Sequence, residues 1–137
     1  MPFYLAEYGE HEGIYVFGGG FGNGQENVML QISFNKYIPV IKKVDYSGIP
    51  PSSIEPVMEK YNDLILIVSG DQKDREIRLF NPQYRQFILI INSYSKLLGG
   101  IGSSVTEYDD KYYVFFGLGE DGYIGGISSF SIEEKVK

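Results

Sequence analysis

The chain has 137 residues, 43% of them hydrophobic, which suits one domain with a sizeable core and excludes a disordered tail. A net charge of −6 without a basic stripe argues against nucleic-acid binding, and the lack of cysteine excludes disulfides and thiolate metal sites. No apolar run approaches the roughly 18 residues that cross a bilayer. The acidic start MPFYLAEYGEHEG also lacks the basic and apolar regions of a signal peptide, so an intracellular, cytoplasmic chain is expected.

Taken from the amino end, the first clear element is the strand in GIYVFGGG, residues 13 to 20. A glycine-rich loop, FGNGQE, leads to a strand ending at Phe34-Asn35, and another follows from Ile38 to Val44. The segment from Gly48 to Gly70, GIPPSSIEPVMEKYNDLILIVSG, ends in a run of five apolar residues. Residues 55 to 63 come nearest to a helical stripe, but Pro56 argues against one. After the polar loop DQKDR come a strand ending at Phe80-Asn81, the turn NPQY and a strand from Phe87 to Ile91. From Gly100 to Gly117, GIGSSVTEYDDKYYVFFG repeats the earlier order of Gly-Ile, Ser-Ser, acids around a tyrosine, then an apolar strand. GEDGY and a strand ending at Phe130-Ser131 complete the pattern, and the chain stops at Lys137 where a further strand is due.

The elements therefore recur. Tyr8, Tyr61 and Tyr108 are separated by 53 and 47 residues, and Tyr15, Ile65 and Tyr113 by 50 and 48. Phe34-Asn35, Phe80-Asn81 and Phe130-Ser131 follow at 46 and 50. Short strands, turn residues and the lack of a 3.6-residue stripe predict an all-β chain of four-stranded antiparallel units. The units run from about 1 to 47, 48 to 99 and 100 to 137, and the third is expected to hold three strands or three and a stub.

On these residues the chain resembles the kelch-repeat family, whose period near 50 forms one β-propeller blade. Ile14-Tyr15-Val16-Phe17-Gly18-Gly19 is similar to the kelch second strand with its double glycine. Leu79-Phe80-Asn81-Pro82 resembles the end of the third strand, and Phe87 stands at the usual tryptophan. The second unit has Ser69-Gly70 and the third Gly117-Leu118-Gly119 for the double glycine, and tryptophan is absent. The resemblance implies kelch-like propeller blades, three per chain. Three blades make an open half-ring. Either two chains pair about a two-fold axis as a homodimer with six blades, or the chain is a piece of a longer propeller; pairing is the expectation taken here.

Blade topology also assigns loops to rims. One rim gathers residues 21 to 26, 71 to 75 and 119 to 123 with the links between units. Its loops are longer and glycine-rich, so Phe21, Asn23, Gln25, Arg75, Asp121 and Tyr123 are the expected binding contacts. Tyr94 is a further anchor for a protein partner, and Tyr4, Tyr8, Tyr61 and Tyr108 are candidates to line a channel.

Catalytic motifs are thin. Gly18 to Gly24 offers dinucleotide-like spacing, but the next segment alternates as a strand where a phosphate site needs a helix. His11 is the lone histidine, between two glutamates, which leaves no familiar zinc site and a weak case for serine hydrolysis. Gly119-Glu120-Asp121-Gly122 reads as a hairpin turn, with a weak cation site as the lesser reading. Glu107, Asp109 and Asp110, with Glu7 or Asp63, are the candidate acids for a glycosidase-like pair on one rim, although turns and strands place such acids on surfaces routinely. The expected function is non-catalytic binding of a protein or other macromolecule, without cofactor, metal, nucleic acid or membrane. The alternatives are a sugar- or peptide-directed propeller enzyme and a structural subunit of a viral or other assembly.

Overall fold

A computed structural model describes residues 3–6, 13–18, 27–51, 56–69, 77–91, 103–115, 117–119, 122–123 and 125–132. All its regular structure is β, and no helix occurs among these residues. The first sheet is a four-stranded meander of β1 (Phe3–Ala6), β2 (Gly13–Phe17), β3 (Met29–Asn35) and β4 (Ile38–Lys43). The second repeats it with β5 (Val57–Tyr61), β6 (Leu64–Val68), β7 (Ile77–Asn81) and β8 (Gln86–Ile91). β9 (Ser104–Tyr108) and β10 (Lys111–Phe115) open the third, followed by a small hairpin of β11 (Leu118–Gly119) and β12 (Gly122–Tyr123). β13 (Ile127–Phe130) then returns to β10, so the third sheet has three strands in the order β13-β10-β9. The near-helical segment around Met58 is thus strand β5, and Gly119 pairs with Gly122 across a hairpin, as its composition suggests.

Local chemistry makes the turns. Asp109 and Asp110, with φ of 52° and 61°, occupy both central positions of the β9–β10 hairpin, the left-handed pair that a two-residue turn favours. In the two-residue turn between β5 and β6, Asn62 at φ 50° holds the first central position in the left-handed region. In the Asn81-Pro82 turn, the Asn81 Oδ1 accepts from the backbone N–H of Gln83 at 2.9 Å and of Tyr84 at 3.2 Å. That is why asparagine before proline ends β7.

Strand pairing refines the repeat. Ile14, Ile65 and Tyr112 face Ile32, Phe80 and Phe130 across the next strand. Tyr15 therefore corresponds to Leu66 and Tyr113, one residue on from the Ile65 that spacing alone suggests. Phe80 corresponds to Ile32, because the β3–β4 hairpin extends further and puts Phe34 opposite Pro39. Register is set by pairing, and turn lengths differ between units, so equal spacing misaligns by a residue or two.

The sheets stack through alternate faces. Tyr15, Phe17 and Met29 of the first pack against Ile65, Ile67, Phe80 and Phe87 of the second. The other face of the second sheet, Leu66, Val68, Ile77 and Leu79, packs against Tyr112 and Val114 of the third. A strand buried on both faces needs no polar alternation, which explains the unbroken LILIV of β6. Between sheets the backbones come closest at the first strands, β1 beside β5 and β5 beside β9. At the other edge, the chain leaving β4 bonds to the start of β8: Ser47 donates to Arg85 O and accepts from Phe87 N–H, both at 3.0 Å.

Candidate functional site

Of the six expected contacts, Phe21, Asn23, Gln25, Arg75 and Asp121 lie outside the described residues. Tyr123 is in β12, opposite Leu118. Strand order places residues 21–26 and 71–76 between second and third strands, the same end of the meanders as the link through residues 44–51. His11, Glu7, Tyr8 and Tyr94 also fall outside. Gly18, at φ 83°, directs its N–H to Val28 O at 3.4 Å, so the start of the glycine run leads out of β2 into the return toward β3.

The acids named as a glycosidase-like set divide by role. Asp109 and Asp110 are the exposed turn residues between β9 and β10, and Asp63 sits in the equivalent turn between β5 and β6. Glu107 lies opposite Tyr112 in the ladder, and its negative charge adds to the burial that raises the phenol's pKa. Among the described residues no group of three acids or histidines is placed to hold a metal ion.

Spacing does not reveal the best-defined polar site. Tyr112 is only 3% exposed between the second and third sheets, and its hydroxyl donates to Lys60 O at 2.8 Å. Its ring stacks on Phe130 at 5.6 Å and lies 6.3 Å from Tyr61. Burial pushes the phenol well above its ordinary pKa, and the negative charges of Glu107 and Glu59, with Tyr61, push it further. Tyr61, named as a channel candidate, is thereby an inter-sheet packing residue. Tyr46 plays the matching part at the first junction. Its hydroxyl donates to Asn27 O, its ring meets Phe87 edge-on at 4.8 Å, and burial raises its pKa. Phe87 also contacts Phe80 at 4.9 Å and Phe17 at 5.6 Å, so this one side chain anchors two sheets together. The only signal for Tyr46 and Tyr112 in sequence is an aromatic among apolar neighbours, which is also the signal for ordinary core.

Exposed aromatic side chains stand on the turns. Tyr37 follows β3, Tyr84 follows β7 and Tyr108 precedes the β9–β10 turn; their exposures are 96%, 70% and 73%. They belong to turns at the opposite ends of the strands from the β2–β3 and β6–β7 loops. Arg78 and Gln31 are buried polar side chains on the facing surfaces of the second and first sheets. No protein-family model matches the chain, and no curated protein is significantly similar to it in sequence.

Proposed function

We propose that the chain is a non-catalytic, kelch-like β-propeller module that binds a protein through loops at one end of its sheets. The supporting observation is a division of labour among the described side chains. The phenols of Tyr46 and Tyr112 are committed to joining sheets rather than to proton transfer, which leaves recognition to the loops. The repeated meander with neighbouring first strands supports reading each sheet as a blade, and it gathers the second-to-third-strand loops with the inter-sheet links. Phe21, Asn23, Gln25, Arg75, Asp121 and Tyr123 are the proposed contacts.

The test is affinity capture with photo-crosslinking at two sets of positions. Replacing Phe21, Arg75 and Tyr123 by alanine is expected to abolish a partner band that survives replacement of Tyr37, Tyr84 and Tyr108. Loss with the second set alone moves the contact surface to the other end of the sheets. A band indifferent to both sets, or turnover of a glycoside or peptide panel that Glu107→Gln removes, overturns the reading.

A further inference from the structure

The β3–β4 hairpin runs on past the rest of its sheet. β2 pairs with β3 only as far as Ile32, and β4 is the last strand in the sheet order. Beyond Ile32 the chain therefore continues as a ribbon of two strands closed by Lys36 and Tyr37. Residues 34 to 43 are all exposed. Among them Phe34, Tyr37, Ile38, Val40 and Ile41 stand between 45% and 96% exposed. Cross-strand pairing puts Ile38 and Val40 on the face that carries Tyr15 and meets the second sheet, and Phe34, Pro39 and Ile41 on the other. Both faces of the ribbon thus carry open apolar side chains. A further sheet stacked on the first, whatever chain supplies it, would cover one face and leave Ile38 and Val40 in water.

Register also fixes what the outer edge of β4 offers. Val44 N–H donates to Met29 O, and bonded pairs alternate along an antiparallel ladder, so Lys42, Val40 and Ile38 bond inward to β3. Pro39, Ile41 and Lys43 turn their backbone groups outward. Proline at this position costs the ribbon no ladder bond and takes a donor from the edge, where an added strand would need it. The edge is a poor template for another strand, from a second copy or from a partner peptide. The residues from Tyr37 to Ile41 are bracketed by Lys36 on one side and by Lys42 and Lys43 on the other, and no acid occurs between Glu26 and Asp45. An apolar strand with cationic ends, closed to strand addition and open on both faces, matches the interface of a bilayer. There the apolar side chains enter the acyl boundary, the lysine stems reach back to the phosphates, and the few outward backbone groups meet headgroup water.

We infer that the β3–β4 hairpin docks on anionic lipid surfaces, entering edge-on by β4 with Tyr37, Ile38 and Ile41 in the interface and Lys36, Lys42 and Lys43 at the phosphates. The net charge of −6 keeps the remainder of the molecule off such a surface, which confines contact to this acid-free hairpin. The expectation of no membrane contact rested on the length needed to cross a bilayer, and a hairpin lying in the interface does not cross it. The hairpin tip lies at the end of the sheets opposite the β2–β3 and β6–β7 loops, and the inference is independent of what those loops bind.

Sedimentation of the whole chain with vesicles tests the docking. Wild-type protein is expected to pellet with vesicles of equal parts phosphatidylserine and phosphatidylcholine and to stay in solution with phosphatidylcholine alone. Lys42→Ala and Lys43→Ala are each expected to weaken binding about fivefold, and the double variant Ile38→Asp with Ile41→Asp to abolish it. All four positions are exposed, so the variants are expected to melt as wild type does. Tyr84→Asp, on an exposed turn of the second sheet, is the control and leaves binding unchanged. As a second readout, the chain has no tryptophan, so Tyr37→Trp is a single probe whose emission acyl-brominated lipid quenches, while Tyr84→Trp stays unquenched. Wild-type protein left in solution with both vesicles, equal binding to the two, binding that survives the paired aspartates, or equal quenching of the two tryptophan variants overturns the inference.

Discussion

Tyr112 ties the third sheet to the second through one hydrogen bond to Lys60 O, with its ring stacked on Phe130. Tyr112→Phe keeps the ring and leaves that carbonyl unmet, which is expected to cost about 1 kcal/mol in urea unfolding. The raised phenol also ties stability to pH. The unfolded chain loses the proton at about pH 10, whereas the folded chain holds it to higher pH. Stability from this group is therefore whole below about pH 10 and falls as pH rises beyond it. The urea midpoint of the native protein is expected to drop more steeply above pH 10 than that of Tyr112→Phe. Equal slopes would remove the claim. Gly48 is the residue-scale counterpart in the backbone. At φ +85°, an added Cβ would lie 2.5 Å from Phe87 O, so Gly48→Ala is expected to destabilise by about 1–3 kcal/mol in the same assay.

Among elements, the second sheet is the most committed, since both faces of β6 and β7 are buried. Phe80→Ala is expected to cost about 3–5 kcal/mol by opening the first junction. Tyr84→Ala, on an exposed turn, should stay within about 0.5 kcal/mol of wild type; thermal melts of the pair check the contrast. The β9–β10 turn is less well served, because two aspartates hold left-handed positions there. Replacing them by Asn-Gly is expected to raise stability by about 0.5–1 kcal/mol, read from the melting temperature. β4 shows the opposite extreme, with every residue exposed, and Pro39 on this edge strand has no N–H to offer a ladder.

For the whole molecule, the pairing of two chains expected from the sequence would tie stability to concentration. If the second copy binds only the folded chain, the melting temperature rises with protein concentration over a hundredfold range, by mass action. A melting temperature independent of concentration would leave the single chain as the folding unit. The proposed binding contacts belong to the same scale, because they are drawn from different units of the sequence rather than from one segment.

What composition and spacing determined alone was the class and the strand pattern: β-formers between turn residues, and four antiparallel strands in each of the first two sheets. Those signals are local, carried by segments such as LILIV, Asn81-Pro82 and Asp109-Asp110, whose preferences act within a few residues. The tertiary structure decided the register, placing Tyr15 with Leu66 and Tyr113, because cross-strand pairing and not chain distance sets which side chains share a face. It also turned Tyr61 and Tyr112 from possible channel and strand residues into the join between two sheets. Above all it separated Phe87, buried between two sheets, from Ile41, exposed on the edge strand β4, although the two lie opposite equivalent residues in register.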